Sequence, residues 1–442
     1  MRLVRAVLWF GAYLALILFP LAVAAVFPGE GAVRPLTLQI GVACGFVGLS
    51  VLAFQYALVA KVETLAAAYG QDALLRFHKW MGIAAAWLLA IHATLVMSGG
   101  YPLEWLNPFD SATPSAMRWG VITTALLVLL MASSLLRRQF RLPFDWWQLI
   151  HTWLADLILL GALAHVLQFG VFSATIPMRA TLAAYYCILL VLGVYYKLVR
   201  PMSMWNRRWR VVENRHERGD CHTLVLVPVG HAGFTFEPGQ YAWLNTGRTP
   251  FHRDRHPISF SSCAYDEAGR PVEFSIRKLG DWSGSVVPKL KPGDSVWVDG
   301  PYGVFSSDRE QGMGYVLVAG GIGIAPMKSI CATMAERADT RPVILFFLSR
   351  DLDGLTFHEA LEQLTRRMNL KVIYVLEHPP TGWTGESGVV TKELLAKHLP
   401  RHYRRFQYFV CGPVPMMDCV EKILPQLGVP ADQIHSERFE IV

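Results

Sequence analysis

Charged side chains are scarce in this chain of 442 residues: Asp, Glu, Lys and Arg together make up 17% of it, whereas hydrophobic residues make up 53%. Ordinary soluble domains carry a charge at about a quarter of their positions. Charged residues are scarce mainly between Ala6 and Tyr196, where long apolar runs alternate with short loops. After Lys197 the composition is that of an ordinary globular protein. We therefore expect a membrane part followed by soluble domains, about three domains in all by length.

A cysteine framework and a basic patch are also lacking. The seven cysteines form no CxxC pair and show no regular spacing, so neither a zinc site nor a disulfide scaffold is indicated. The net charge of +7 is dispersed, with many basic residues in loops between apolar runs. Because a nucleic-acid-binding surface would gather such charge in one place, we expect no nucleic-acid partner.

Six apolar runs are long enough to cross the hydrocarbon core of a lipid bilayer, which takes roughly 20 helical residues. The expected spans lie near Ala6–Val26, Leu36–Ala60, Trp80–Met97, Trp119–Leu136, Trp146–Phe169 and Ala180–Tyr196. We expect the first run to be retained as a span, since it is too long for the apolar core of a signal peptide.

Basic residues between the spans indicate which side faces the cytoplasm. On one side lie Arg2, Arg5, Lys61, Arg76, Lys79, Arg137, Arg138, Arg141, Lys197 and Arg200, and on the other lie only Arg34, Arg118 and Arg179. The side rich in Lys and Arg is the cytoplasmic one. Both termini are therefore expected in the cytoplasm, in a protein of the plasma or inner membrane, and the third and fifth spans run in the same direction.

Histidine occupies only four of the first 200 positions: His78 and His92 at the start of and within the third span, and His151 and His165 within the fifth. Both pairs are 14 residues apart, which places each pair on nearly one face of its helix and about 21 Å apart along it. Between parallel helices, His78 should face His151 near the inner surface and His92 should face His165 near the outer surface. Two neutral imidazoles across a gap suit a bis-histidine haem iron, so the pattern predicts two haem b groups stacked across the bilayer.

Other interpretations of these polar residues stay open. Isolated histidines between membrane helices can be hydrogen-bonding residues without a metal, although four with matched spacing favour haem. Asp156, one turn beyond His151, is a rare acid within a span, interpreted either as a proton or haem-side contact or as a solvated residue near an inner cavity. Basic residues at the inner helix ends, Arg137 among them, are interpreted as topology charges or as contacts to haem propionates.

After Trp205 the pattern changes to short alternating strands with turn signals, which is typical of a small antiparallel β-barrel. Up to Ser307, examples of the expected strands are Leu224–Val229, Gln240–Asn245, Val272–Arg277 and Ser295–Val298. From Gly314 apolar strands alternate with amphipathic helices, which indicates an α/β domain with a doubly wound parallel sheet. Its strands are expected at Tyr315–Ala319, Val343–Leu348, Lys371–Val375 and Tyr408–Cys411.

A glycine-rich turn follows the first strand of the α/β part. It contains Gly320, Gly321 and Gly323, and Pro326 stands where a dinucleotide-binding fingerprint has its last glycine. Glycines let the backbone approach a pyrophosphate, and the following helix N-terminus supplies amide donors. A plain tight turn would show glycines too, but the strand before it and the helix after it favour a dinucleotide site.

Further motifs complete the soluble half: His-Pro-Ile-Ser at residues 256–259, Phe-Ser-Ile-Arg at 274–277, Gly-Asp-Trp-Ser at 280–283 and Cys-Gly-Pro at 411–413. With the paired histidines and the glycine-rich turn, they resemble the ferric reductase and NADPH oxidase superfamily over nearly the whole chain. The resemblance implies an all-α six-helix di-haem membrane domain at residues 1–200, an FAD-binding β-barrel at residues 205–308 and an NAD(P)H-binding α/β domain of the ferredoxin-reductase type at residues 312–442.

By this resemblance, the first of these motifs holds the flavin, with Ser259 near the isoalloxazine N5 that receives hydride and His256 along the flavin or its phosphates. The residues that would bind FAD are His256, Pro257, Ile258, Ser259, Ser275, Arg277, Gly280, Trp282 and Ser283. Arg277 would pair with the pyrophosphate, although from the residues alone it is also explained as a solvated strand residue.

Binding of NADPH or NADH is implied for the glycine-rich turn and for two later segments. The residues concerned are Gly320, Gly321, Gly323, Pro326, Ser349, Arg350, Cys411, Gly412, Pro413 and Phe439. With Ser259, the Cys411 thiol and the Phe439 ring would lie at the reacting rings, unless both are ordinary core residues. Arg350 favours NADPH, because a 2′-phosphate attracts arginine, but the following Asp351 leaves NADH open.

The function implied is that of a transmembrane oxidoreductase that passes electrons from cytosolic NAD(P)H through FAD and two haems to an acceptor outside, either O2 or a ferric chelate. Animal oxidases of this group carry an arginine on helix two and a second histidine one turn after the outer helix-three ligand, where this chain has no arginine and Val96. That departure weakens the case for a tuned oxygen-reducing pocket. Two other functions stay open: a membrane subunit that reduces a partner protein or quinone at the outer loop Tyr101–Met117, and a haem-binding sensor without turnover.

Overall fold

A change of architecture coincides with the change of composition near residue 200. A computed structural model describes residues 2–28, 35–60, 69–137, 139–170, 172–252 and 255–438. The chain divides between Arg200 and Pro201 into two compact units. Within the described residues, the first unit is helical and the second contains two β-sheets.

Six long helices make up the first unit. They are Arg2–Val26 (α1), Leu36–Val59 (α2), Gln71–Ser98 (α3), Ser115–Leu135 (α4), Phe144–Phe169 (α5) and Ile176–Val194 (α6). All six are long and apolar enough to cross a membrane, which confirms the predicted spans. The third and fourth helices begin before Trp80 and Trp119, where the sequence analysis started them, because hydropathy detects only the apolar part of a helix. A π-helical segment at Tyr195–Val199 and a short helix at Arg200–Met204 (α7) follow.

Glycines bring neighbouring membrane helices close together. A Cβ at Gly41 of α2 would come within 3.0 Å of Leu95 Cβ on α3, and a Cβ at Gly161 of α5 would overlap the hydroxyl of Thr123 on α4. Because lipid removes the hydrophobic drive for helix association, close packing through small residues takes its place. The pairs α2/α3 and α4/α5 are therefore tightly packed.

An antiparallel sheet of six strands opens the second unit. The strands are Arg208–Glu217 (β1), Cys221–Val229 (β2), Tyr241–Asn245 (β3), Arg255–Ser259 (β4), Val272–Arg277 (β5) and Ser295–Tyr302 (β6). Their order is β4-β3-β6-β1-β2-β5, and a bridge between Phe260 and Phe274 brings the end of β4 to β5. The sheet thus closes on itself, as expected for a small barrel.

The core of this barrel is aromatic. Phe260 is fully buried, stacks on Phe236 with ring centres 4.0 Å apart, and packs against Phe274 at 4.7 Å. Trp209 of β1 and Leu224 of β2 are buried in the same cluster. The rings at the closing bridge therefore also fill the barrel.

A parallel sheet forms the rest of the second unit. Its strands are Tyr315–Gly320 (β7), Val343–Ser349 (β8), Leu370–Leu376 (β9), Glu386–Ser387 (β10), Gln407–Cys411 (β11) and Ile434–Glu437 (β12). Between them lie the helices Ile324–Glu336 (α8), His358–Thr365 (α9), Lys392–His398 (α10) and Val414–Gln426 (α11). The order β10-β9-β8-β7-β11-β12 is parallel throughout and confirms the predicted α/β sheet.

The central strand of this sheet is buried along its whole length. Every residue from Tyr315 to Gly320 is buried, because hydrophobic clusters cover both faces of the sheet. Buried parallel strands read as continuous apolar runs, which is why the sequence located this strand. The turn that leaves its carboxyl end is therefore carried by a rigid element.

Phe260→Ala should destabilise the second unit by about 3–5 kcal/mol, the usual cost of truncating a buried aromatic ring. At about 2–4 °C per kcal/mol for a unit of this size, the midpoint of thermal unfolding should fall by roughly 6–20 °C. The measurement is a fluorescence melt of the detergent-solubilised full chain. Phe251→Ala, at a ring that is 39% exposed, is the control, and equal losses in both variants would contradict the core described above.

Candidate functional site

The four membrane histidines form two facing pairs. The ring centres of His78 and His151 lie 6.2 Å apart, and those of His92 and His165 also lie 6.2 Å apart. Since the first member of each pair belongs to α3 and the second to α5, the two helices run in the same direction. The structure thus brings together the partners that the 14-residue spacing predicted.

By their expected positions, His92 and His165 are called the outer pair, and His78 and His151 the inner pair. In the outer pair, His92 lies against a glycine-containing face of the neighbouring helix α2. Its Nδ1 lies 2.9 Å from the backbone oxygen of Gly41. A Cβ at Gly45, one turn further along α2, would come within 2.7 Å of the same ring nitrogen. A side chain at position 45 would therefore displace the imidazole.

His165 repeats this arrangement on α4. Its Nδ1 lies 2.7 Å from the backbone oxygen of Ala116, and a Cβ at Gly120 would come within 2.9 Å of that nitrogen. A carbonyl only accepts, so Nδ1 must donate in both rings of the outer pair. In the neutral ring this leaves Nε2 as the unprotonated nitrogen, the form that binds a metal.

In the inner pair the partners are side chains. The amide nitrogen of Gln55 on α2 donates to His78 Nδ1 at 2.6 Å. His151 Nδ1 lies 3.1 Å from Ser134 Oγ on α4, and the same oxygen accepts a hydrogen bond from Trp147 Nε1 at 3.4 Å. Both inner rings are thus oriented from outside the gap between them.

The separation of the rings suits an iron between them. An ion held at about 2.0–2.1 Å by one nitrogen of each ring places the two ring centres about 6 Å apart, which is the separation in both pairs. Two imidazoles complete the coordination of an iron whose other four ligands come from a porphyrin. With the second nitrogen of each ring engaged elsewhere, the residues present fit one haem in each layer.

Asp156 forms an ion pair inside the helical unit. Its carboxylate accepts a hydrogen bond from the Tyr56 hydroxyl of α2 and lies 2.6 Å from Lys197 Nζ, in the π-helical segment after α6. The sequence interpretations of Asp156 did not include a cation from the last span. Because ionisable groups within spans are expensive unless they are paired, this contact explains how Asp156 is tolerated there.

Three of the predicted coenzyme motifs lie at one edge of the parallel sheet. Gly320 ends β7, Ser349 ends β8 and Cys411 ends β11, and β7 lies between the other two. Ligands of open α/β sheets bind outside the carboxyl ends of the strands. The fold therefore gathers these motifs where a dinucleotide would bind.

The turns after β7 and β11 touch, and glycine is required at the contact. A Cβ at Gly323 would overlap the backbone carbonyl of Cys411, and a Cβ at Gly412 would lie 2.9 Å from the backbone nitrogen of Gly320. Pro326 is buried in the first turn of α8, where its missing N–H costs no helical hydrogen bond. The backbone amides at this helix start thus lie beside the carboxyl edge.

A guanidinium from the barrel reaches the glycine-rich turn. Gly321 has φ of +52°, and a Cβ there would lie 2.8 Å from Arg277 Nη1. Nearby on the barrel motifs, His256 stacks on Trp282 with ring centres 4.0 Å apart, and Trp282 Nε1 donates to Thr246 Oγ1 at 2.9 Å. A fixed cation next to glycine backbone amides is suited to bind phosphate oxygens.

Two predicted FAD contacts have hydroxyls that already bond within the barrel. Ser275 Oγ is buried and bonds to Thr223 Oγ1 at 2.9 Å and Ser261 Oγ at 2.7 Å. Ser283 Oγ accepts from the backbone nitrogen of Gly280 at 3.0 Å. These hydroxyls hold strands and a turn in place.

Two of the three residues expected beside the flavin and nicotinamide rings are buried at the ends of strands. Ser259 is buried at the end of β4, and Cys411 is buried at the end of β11. Burial, and to a lesser extent the charge of Glu437, raises the pKa of the Cys411 thiol, so it stays protonated at neutral pH. Phe439 lies outside the described residues.

The segment after β8 carries Arg350 and Asp351, the two charged residues that the sequence relates to the choice of coenzyme. Asp351 Oδ1 accepts from the backbone nitrogen of Gly354 at 2.8 Å and so closes the loop. The Arg350 side chain is exposed, while its backbone oxygen accepts from His378 N at 2.7 Å. The Asp351 carboxylate is therefore engaged within its own loop, whereas the exposed Arg350 side chain is available to a ligand.

Four residues that orient the histidines were not singled out from the sequence: Gly45, Gly120, Gln55 and Ser134. A sequence signal existed for Gln55, because a buried amide within an apolar run is unusual. The two glycines had a weaker signal, since glycine is common in membrane helices. Their role became visible only with the neighbouring helix in place.

Comparison with known proteins agrees with the division into two units. A family model described as ferric reductase like transmembrane component matches residues 44–162, and one described as oxidoreductase NAD-binding domain matches residues 317–422. The first match, with the six apolar helices, makes the chain a multi-pass membrane protein.

Similar curated proteins are reductases. The chain is 31% identical over 251 residues to the reductase component of propane 2-monooxygenase from Rhodococcus jostii, covering 55% of this chain and 66% of that protein. It is 33% identical over 145 residues to NADH-cytochrome b5 reductase 1 from Debaryomyces hansenii, covering 32% of this chain and 51% of that protein. The chain thus spans about half to two thirds of the length of these relatives.

A solved structure with a similar fold is the flavohem-like FAD/NAD binding domain of nitric oxide dioxygenase from Vibrio cholerae, with a TM-score of 0.46 and 26% identity over 52% of this chain and 98% of that one. A ferric reductase like membrane domain joined to an NAD-binding oxidoreductase domain is the arrangement of the ferric reductase and NADPH oxidase superfamily.

Proposed function

We propose that the protein is a transmembrane oxidoreductase that takes electrons from NAD(P)H on the cytoplasmic side and delivers them to an acceptor on the opposite side. The observation that carries the proposal is the pair of facing imidazole couples, each with ring centres 6.2 Å apart, at two levels between α3 and α5. A plain hydrogen-bonding role would not require equal gaps in both layers. Two one-electron sites at different depths supply a route through the lipid.

The chain's own residues hold and separate the carriers. In this proposal His78 and His151 bind the inner haem, and His92 and His165 bind the outer one; the hydrogen bonds of Nδ1 leave Nε2 free to bind iron in His92, His151 and His165. A flavin takes two electrons as hydride and releases them singly, and haem iron takes one at a time. The soluble unit binds both FAD and the coenzyme, and the helices carry the fixed histidines.

The carboxyl edge of the parallel sheet binds the coenzyme in this proposal. The amides of the glycine-rich turn would bind phosphate oxygens of the coenzyme, and the guanidinium of Arg277, which reaches this turn, would bind the FAD pyrophosphate. When FAD and the coenzyme are bound, Ser259, at the end of β4, would lie near the flavin N5, and the protonated Cys411 thiol would lie beside the nicotinamide. Neither residue transfers a proton or forms a covalent bond; both shape the cleft in which hydride moves.

O2 and ferric chelates are the acceptors we propose first, because the outer histidine pair is the last redox position before the outer surface. Val96, at the position of the second helix-three histidine of animal oxidases, is 8% exposed and packs against Gly41 of α2. Val96 therefore provides an apolar contact between α3 and α2, where animal oxidases of this group have a histidine.

A second function is favoured by the relatives and by the outer loop. The reductase component of propane 2-monooxygenase and the xylene/toluene monooxygenase electron transfer component from Pseudomonas putida are named as components of larger systems. In the loop between α3 and α4, Leu103 is 72% exposed and Phe109 is 92% exposed. A membrane subunit that donates electrons to a partner protein or quinone there is the alternative.

Replacing the histidines in combinations tests the proposed pairing. His92→Ala and His165→Ala should each lower the haem content from two to one per chain, and the double variant should lose no more than either. His92→Ala combined with His151→Ala should lose both haems. The measurement is the pyridine haemochrome assay, with NADPH-dependent flavin reduction preserved throughout as the control. Retention of two haems in His92→Ala would show that the ligand assignment is wrong.

Arg350→Ala should weaken the use of NADPH while leaving NADH nearly unchanged. Loss of one charge-assisted contact to a 2′-phosphate is worth about 1.5–3 kcal/mol, which corresponds to roughly a 10- to 150-fold fall in kcat/KM. Flavin-level reduction of ferricyanide measures it. Arg401→Ala, an exposed arginine before β11 at the opposite edge of the sheet, is the control. Equal effects on both coenzymes would remove Arg350 from the specificity site.

Steady-state turnover of the purified holoprotein distinguishes the acceptors. Superoxide dismutase-sensitive cytochrome c reduction identifies O2, and turnover only with ferric chelates identifies a ferric reductase. If NADPH reduces the flavin and the haems but no small acceptor supports turnover, the protein is identified as the subunit that requires a partner. If NADPH reduces the flavin but neither haem, the transmembrane route itself is refuted.

A further inference from the structure

The two histidine layers differ in what orients them. In the outer layer the Nδ1 atoms of His92 and His165 bond to backbone carbonyls of α2 and α4, which no substitution removes. In the inner layer the corresponding partners are the side chains of Gln55 and Ser134. Only in the inner layer, therefore, can a substitution remove the hydrogen-bond partner of an imidazole Nδ1.

The hydrogen bonds of Ser134 determine which nitrogen of His151 carries the proton. A hydroxyl has one proton to donate and two lone pairs to accept with. Ser134 Oγ donates to the Leu130 backbone oxygen at 2.7 Å. Because its proton is used there, Ser134 accepts from His151 Nδ1 at 3.1 Å and from Trp147 Nε1 at 3.4 Å. His151 is thereby held as the Nδ1–H form, with Nε2 unprotonated.

The same neighbours block rotation of the ring. Trp147, one turn before His151 on α5, lies with its ring centre 5.1 Å from the imidazole. The guanidinium of Arg137 in turn lies 5.3 Å from the Trp147 ring centre, within the range of a cation–π contact. The basic residue interpreted from the sequence as a topology charge or propionate contact thus also holds this indole.

We propose that Ser134 is a positioning residue that fixes the orientation and tautomer of His151 and so sets the redox potential of the inner haem. This inference rests on the proposed function, in which His78 and His151 bind that haem. An acceptor on Nδ1–H makes the coordinating imidazole more basic, and a more basic ligand stabilises ferric over ferrous iron. Ser134 therefore lowers the inner potential, and the outer haem is untouched by it.

The test compares Ser134→Ala with Ser134→Thr, which keeps the hydroxyl, and with Ser133→Ala. Ser133 is the matched control, because its hydroxyl donates to the same Leu130 oxygen at 3.0 Å and stands next to Ser134 on α4. Each full-length holoprotein is examined by redox titration of the haem absorbance, by low-spin ferric EPR and by haem content.

In Ser134→Ala, one of the two haem components should shift to higher potential with a changed EPR signal, and the other should stay where it is. Ser134→Thr and Ser133→Ala should behave like the parent protein. Loss of one haem from Ser134→Ala that threonine restores would also support the positioning role. Two unshifted haems in Ser134→Ala, or a loss that threonine does not restore, would overturn it. A parent protein that binds no haem refutes the proposed function itself, so the two failures are distinguishable.

Discussion

A fixed gap between imidazole rings, repeated at two depths, is the constraint on which the rest of the membrane unit depends. The rings stand 6.2 Å apart in both layers, so α3 and α5 must keep both separation and direction over four helical turns. Neither helix does this alone. Each is packed against a partner, α2 or α4, whose glycines admit the outer rings and whose carbonyls orient them. Four of the six long helices therefore form two pairs that face each other across the histidines.

The soluble unit solves a different problem with similar means. At the carboxyl edge of the parallel sheet, the turns after β7 and β11 approach so closely that only glycine fits at Gly323 and Gly412. The barrel contributes Arg277 to the same place. In both units glycine is required because a functional group of one element must lie against the backbone of another, and in neither is glycine acting as a flexible joint.

The histidine pairs could be predicted because polar residues are rare in the apolar spans, so their spacing is easy to recognise. A spacing of two heptads places both histidines on one face of a helix whatever the neighbouring helices are. The residues that orient the histidines could not be predicted, because Gly45 is one of several glycines in α2 and Ser134 stands beside another serine. Only the contacts between helices distinguish these residues from their neighbours in sequence. In the barrel, β1 gives a weak signal in the sequence, because only Trp209 and Val211 of its ten residues are buried and the polar residues obscure the alternation. Phe439 stays a prediction.

The ion pair between Asp156 and Lys197 bears on how the protein is made. During synthesis α5 leaves the ribosome before the segment that contains Lys197, so the carboxylate meets the translocon before its cation exists. A lone acid at the middle of a span disfavours insertion by about 2.5–3.5 kcal/mol. The fifth helix therefore reaches its final, stable state in lipid only once the sixth has followed it, and biogenesis of the helix that carries His151 and His165 depends on a lysine beyond the end of α6.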